Sequence, residues 1–139
     1  MARHIGNMTV TKQNAQSFPA VGEFFGHLTI NAGVKLRANK LTSVRGWVTI
    51  EDDAVLTAPT LGLINGWLTI KGEGALHAIH LTEVRQDLTL DIAEGFDAPA
   101  LTEVGALVIR ASAKETFTLP ALRSIRRHVT LGHLAFLTA

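Results

Sequence analysis

Histidine, acidic and hydroxyl side chains are the groups in this chain that could catalyse a reaction or bind a metal. His77 and His80 have the spacing H-x-x-H. Glu83 and Glu103, which are 20 residues apart, are expected to stack nearby. On extended chain the two rings need not converge, and a stable zinc site needs three or four arranged ligands. A surface histidine pair is therefore the favoured interpretation.

A catalytic set is also missing. None of the four serines lies in a nucleophile-elbow context, and the chain contains no phosphate-binding loop of the P-loop or dinucleotide type. No nucleophile is spaced to meet a histidine and an orienting carboxylate. We therefore predict a protein that is not an enzyme and that uses no cofactor or metal.

The composition limits the classes of protein further. The chain has 139 residues, the size of one domain, with 47% apolar and 18% charged residues, which excludes a disordered chain. The formal net charge of +1 does not by itself indicate nucleic acid or a membrane surface. There is no cysteine, no signal-peptide run and no apolar stretch of membrane-spanning length. We expect a soluble protein of the cytoplasm.

A triplet of the type Leu-Thr-Ile recurs about every 20 residues. Its seven occurrences are residues 8–10, 28–30, 48–50, 68–70, 88–90, 107–109 and 129–131. In a strand, the first and third side chains of such a triplet point to one face and the middle one to the other. Because the apolar pair must be buried, the threonine faces outward. Equivalent strands would then pair in parallel, about 4.8 Å apart.

Other columns keep the same period. One contains Leu41, Leu61, Leu81, Leu101 and Leu122, and a second contains Phe24, Val44, Ile64, Val84, Val104 and Ile125. A third contains Leu36, Leu56, Leu76, Phe96 and Phe117. This pattern predicts an all-β fold, a right-handed parallel single-stranded β-helix (β-solenoid) of about seven rungs. We assign residues 1–139 to one domain, with a partial capping rung at 1–17 and six repeats at 18–139.

Two segments carry a resemblance to known repeats. Residues 58–70 read Ala-Pro-Thr-Leu-Gly-Leu-Ile-Asn-Gly-Trp-Leu-Thr-Ile, and residues 99–105 read Pro-Ala-Leu-Thr-Glu-Val-Gly. They resemble the leucine-rich-repeat-like module of receptor L domains, and still more the AP-x-L-x-x-V-x-G-x-L-x-I repeats of small bacterial and phage proteins. The resemblance covers about residues 18–139 and implies a role in binding other macromolecules. Because the chain has no asparagine ladder and no room for a helix in each repeat, a straight β-helix is expected.

The outward face of the triplet strands offers the main candidate site. Both tryptophans, Trp47 and Trp67, fall in one column on adjacent rungs. Exposed tryptophans are typical anchors of protein interfaces. The candidate protein-binding residues are Trp47, Trp67, His27, Thr49, Thr69, Glu51 and Lys71. Two alternatives remain open: the rings could stack on each other beneath a loop, and the row Glu51, Lys71, Asp91 and Arg110, whose charges alternate, could be a purely structural ladder.

The last repeats are basic. Arg123, Arg126, Arg127 and His128 could bind phosphate or an acidic patch on a protein, or could form a charged cap that keeps the last rung soluble. Nucleic acid is disfavoured because this patch is small and has no interleaved aromatic residues.

The C-terminal rung is apolar. Leu134, Phe136 and Leu137 complete it, and we predict that they are buried against a second copy of the chain or another partner. The leading hypothesis is a non-catalytic protein-binding module. One form of it is an inhibitor or accessory protein encoded by a phage or bacterium, acting by direct contact in the cytoplasm (the host cytoplasm for a phage protein). The alternative is a structural solenoid that self-associates through its C-terminal rung.

Overall fold

The computed structural model describes residues 3–15, 18, 22–91, 95–109, 116–118, 120–131 and 136–138. Short β-strands account for almost all of the regular structure in these residues. The first nine are β1 (Arg3–Ile5), β2 (Met8–Val10), β3 (Glu23–Phe25), β4 (Leu28–Ile30), β5 (Lys35–Arg37), β6 (Ser43–Val44), β7 (Val48–Ile50), β8 (Val55–Thr57) and β9 (Leu63–Ile64). The others are β10 (Leu68–Ile70), β11 (Ala75–His77), β12 (Glu83–Leu90), β13 (Gly95–Asp97), β14 (Glu103–Ile109), β15 (Thr116–Thr118), β16 (Ser124–Ile125), β17 (Val129–Leu131) and β18 (Phe136–Thr138).

The strands pair in parallel with their equivalents one turn away, as the repeat predicted. β2, β4, β7, β10, β12, β14 and β17 form one continuous ladder of a twelve-stranded sheet. Its register places Leu28 beside Val48 and Val48 beside Leu68. A four-stranded sheet contains β5, β8, β11 and β13, and a two-stranded sheet contains β15 and β18. The chain is therefore an all-β parallel β-solenoid.

The solenoid has about five turns, slightly fewer than the seven rungs predicted. The triplets overestimate the number because the chain can cross the main sheet without completing a turn. In the first pass, β1 and β2 belong to the main sheet, residues 12–14 form a turn, and Ala15, the equivalent of Lys35 at the start of β5, is not in a strand. A repeated triplet marks a strand in the main sheet, whereas a full turn of the solenoid must also include the chain that closes its other sides.

The core runs along the inside of the coil. The inward residues of the triplets, among them Leu28, Ile30, Val48 and Ile50, are fully buried. The leucine column 41, 61, 81 and 101 and the column 24, 44, 64, 84 and 104 are also fully buried. Each such side chain contributes roughly 1.5–3 kcal/mol relative to its exposed state. Because no rung can bury its own inner face, this free energy comes from stacking on the neighbouring rungs.

Threonine hydroxyls link successive rungs at one corner. Thr42 donates a hydrogen bond to the carbonyl oxygen of Gly22 (2.8 Å), and Thr82 donates to that of Gly62 (3.0 Å). Thr102 donates to the carbonyl oxygen of Thr82 (3.1 Å). The backbone N–H groups of the same three residues donate to the same carbonyls. This corner therefore satisfies backbone acceptors that the strands leave unpaired.

A column of glycines forms the corner before the triplet strands. A Cβ atom added to Gly66 would lie 2.6 Å from the carbonyl oxygen of Gly46, so only glycine fits this close approach of two rungs. In the next rung Gln86 replaces the glycine, and β12 runs through the corner as one strand of eight residues. Its pairing with β14 shifts register between Val84 and Asp87, which absorbs the shorter 19-residue repeat that follows.

Candidate functional site

Three rings form a column on the outer face of the main sheet, each just before a triplet strand. His27 precedes β4, Trp47 precedes β7 and Trp67 precedes β10. The ring centroids of Trp47 and Trp67 are 4.1 Å apart with an interplanar angle of 10°, and the ring of His27 stacks on Trp47 at 13°. In-register parallel pairing places equivalent side chains one strand spacing apart, which suits aromatic stacking. We call these three residues the aromatic stack.

The aromatic stack is partly open to solvent. Trp67 is 37% exposed, and His27 and Trp47 are half-buried. The column continues for one more rung at Asn7, whose Oδ1 accepts a hydrogen bond from the backbone N–H of His27 (3.0 Å). Among the described residues, no hydrogen bond is formed by either indole N–H. The tryptophans therefore stack on each other, and Trp67 also presents surface to solvent.

The other predicted binding residues lie beside the aromatic stack on the same face. Thr49 and Thr69 are half-buried neighbours in the outward threonine ladder. The Lys71 ammonium lies 3.4 Å from a carboxylate oxygen of Glu51, in a largely exposed ion pair that contributes little stability. Of the remaining members of this charged row, Asp91 is half-buried, and Arg110 lies outside the described residues.

A second group, which sequence analysis missed, lies across the glycine corner from the aromatic stack. The guanidinium carbons of Arg3 and Arg45 lie 5.7 and 6.0 Å from the ring centroid of Phe25, within the range of cation–π contacts. Both arginines also approach the carboxylate of Glu23, at 3.8 and 3.7 Å. We call Arg3, Glu23, Phe25 and Arg45 the corner cluster. The 20-residue spacing of Arg3 and Glu23, and of Phe25 and Arg45, was the available signal.

Two arginines of the predicted basic patch are paired within the chain. Arg126 forms ion pairs with Glu83 (3.4 Å) and Glu103, and Arg127 forms one with Asp87. These pairs connect the last rungs with the acidic rungs before them. Arg123 and His128, the other two members, are exposed. Much of the positive charge of the patch is therefore balanced by carboxylates of the same chain.

The histidine pair has separate partners. His77 lies 3.9 Å from Asp97, and Nδ1 of His80 lies 2.7 Å from the carbonyl oxygen of Pro59. Within the part of the chain that the structure describes, no three histidine or acidic side chains are grouped as a metal site would require. The two rings therefore make local contacts and share no common ligand position.

The residues predicted to mediate self-association lie at the C-terminal end. Leu134 lies outside the described residues, whereas Phe136 and Leu137 belong to β18, which pairs in parallel with β15. Nearby, Val129 in β17 is 46% exposed, although its equivalents Leu28 and Leu68 are fully buried. The last described strand of the main ladder thus leaves part of its inward column open.

Comparison with protein-family models, with curated proteins and with solved structures gave no match. In the described ranges, no helix has the length and apolar character needed to cross a membrane. The class of the protein, a parallel β-solenoid, therefore follows from its repeat and strand register alone.

Proposed function

We propose that this protein is a non-catalytic binding module that contacts another protein through the aromatic stack and the residues beside it. The observation that carries this proposal is the exposure of Trp67 at the end of an ordered column of rings. Tryptophan is enriched among the residues that dominate the free energy of protein–protein binding. The exposed part of the Trp67 indole adds nothing to the stability of the monomer, so its position favours a contact role.

The rigidity of the solenoid supports the same proposal. Trp47 and Trp67 precede strands that pair in register, and each ring packs on its neighbour. Side chains already held in one conformation lose little further entropy when a partner binds. A partner would therefore meet a preformed surface.

The sequence resemblance extends this proposal to a biological class. We infer a leucine-rich-repeat-like solenoid of the bacterial and phage type that acts in the cytoplasm as an inhibitor or accessory protein. Support comes from the repeat phrase at residues 58–70 and 99–105. Direct contact, without chemistry, is the mode of action that we assign to it.

Replacing Trp47 and Trp67 together by Ala is expected to weaken binding at least about 30-fold, equivalent to about 2 kcal/mol, because a hot spot of this kind is lost. The partner would first be captured from a lysate of the native host and identified. Its affinity for the wild-type and variant chains would then be measured with both proteins purified, by titration calorimetry.

The matched control is Ile79→Ala. Ile79 is also an exposed apolar residue (49%), but it lies at the turn after β11, on another side of the solenoid. This variant should bind like the wild type. Wild-type affinity in a folded double tryptophan variant would contradict the proposal.

Exposure of Val129 favours a second candidate function, a structural solenoid that self-associates through its C-terminal rung. An open strand with an exposed apolar column is a template for pairing with another chain. In that case, association would bury Val129.

For this second candidate, Val129→Lys is expected to abolish self-association because a lysine ammonium cannot be buried there without a partner. Sedimentation velocity over a wide concentration range would measure the fraction of dimer. Thr130→Lys, which changes the adjacent outward and exposed position, is the control and should associate like the wild type. A wild-type chain that remains monomeric throughout would exclude this function.

A further inference from the structure

The proposed binding surface continues around the glycine corner onto the corner cluster. We propose that this combined surface binds an acidic segment of the protein partner; the inference rests on the proposed function and specifies the chemistry of the partner. Three features of the surface carry it: an excess positive charge, two indole donors without a hydrogen bond to a described residue, and a ring, that of Trp47, whose two faces are covered.

The excess charge belongs to the corner cluster. Arg3 and Arg45 share the single carboxylate of Glu23, so one of the two guanidinium charges is uncompensated. Arg45 is exposed and is separated from Trp47 only by Gly46. Contact with Phe25 holds its guanidinium near the ring, which reduces the entropy lost when it pairs with an anion. Guanidinium binds carboxylates more strongly than neutral acceptors.

The indole N–H donors also favour carboxylates as acceptors. Neither Trp47 nor Trp67 donates its N–H to an acceptor among the described residues. At an interface, a donor that loses water without gaining an acceptor costs about 1–3 kcal/mol. A carboxylate is the strongest acceptor that a protein partner can offer, so carboxylates of one segment would suit both the indoles and Arg45.

The geometry of the Trp47 ring favours an acidic peptide over a nucleobase as the ligand. His27 covers one face of Trp47 and Trp67 covers the other, so that ring offers only its edge. Aromatic edges are electropositive and attract anions, whereas bases of single-stranded nucleic acid need open ring faces for stacking. At Trp47 the surface therefore fits carboxylates better than bases.

A random peptide library of about 12 residues, displayed on phage and selected on the 139-residue chain, provides the probe. We expect the selected peptides to be rich in Asp and Glu. A synthetic copy of the strongest peptide would be titrated against each variant at low and high salt. Arg45→Gln should weaken its binding about tenfold and Arg45→Glu further, and both should reduce the salt dependence.

Arg37→Gln is the charge-matched control. Arg37 lies in β5 on a different sheet, is exposed and interacts with Asn39, so this variant should bind like the wild type. The pair Trp47→Phe and Trp67→Phe keeps stacked rings but removes both N–H donors, and should weaken binding about fivefold. Thermal unfolding of each variant confirms that it is folded.

The outcomes separate the two proposals. If the double alanine variant at Trp47 and Trp67 loses binding of the selected peptide but Arg45→Gln does not, the protein-binding function stands and the inference of an acidic partner is wrong. If the double alanine variant keeps full affinity, the binding function itself is wrong. Selected peptides without an acidic bias, or tighter binding of an oligothymidylate probe with the same dependence on Trp47 and Trp67, would also overturn the inference.

Discussion

Leu68→Ala is expected to lower the free energy of unfolding by about 3 kcal/mol, within the range for buried leucines. Leu68 is fully buried in the middle of the main ladder, between Val48 and Leu88. The substitution leaves a cavity that both neighbouring rungs would have to collapse to fill. Urea denaturation followed by tryptophan fluorescence measures the change.

The matched control is Leu63→Ala, the same chemical change in β9. Leu63 belongs to an outward column and is only half-buried, so its truncation should cost less than about 1 kcal/mol. If the two variants were destabilised equally, the assignment of inward and outward faces would be wrong.

Gly66→Ala is expected to cost about 3 kcal/mol, as much as a large core deletion, although it adds a single methyl group. The new Cβ would lie 2.6 Å from the carbonyl oxygen of Gly46 and 3.2 Å from Cβ of Trp47. Because the nearest atoms are backbone, relief would require two paired rungs to separate. Thermal unfolding monitored by circular dichroism would report the loss.

Gly62→Ala tests whether the effect belongs to that corner. The nearest atoms to its added Cβ, the carbonyl oxygens of His80 and Thr42, are 3.8 Å away, an ordinary contact. We expect its stability to change by less than about 0.5 kcal/mol. A Gly66→Ala variant as stable as the wild type would show that the two rungs lie further apart at that corner than the 2.6 Å contact requires.

The fold was predictable because one physical requirement is repeated many times. Inward positions must be apolar in every rung, and parallel pairing forces equivalent positions into contact, so the columns in the sequence are the ladders in the structure. The register of Leu36 with Leu56 and of Leu56 with Leu76 confirms this on a second sheet. The number of turns was overestimated because the triplets mark only one side of the coil.

Contacts made by long polar side chains were less predictable. Arg126 reaches back two rungs to Glu83, and this reach depends on its rotamer and on the shape of the corner. The stacking of His27 on Trp47 was also missed, although His27 was named among the candidate binding residues. Sequence columns identify which residues are neighbours. They do not specify whether rings stack or which cation pairs with which anion.

The step of about 20 residues between paired strands has a consequence for how the chain is made. In most of the ladder each strand contacts only the strands one turn before and one turn after it, as β7 contacts β4 and β10. A growing polypeptide therefore never has to wait for a distant partner, since each newly synthesised turn can dock on the turn already formed. Folding can proceed during translation, from the first turn upward, with only the newest turn unpaired at the growing end.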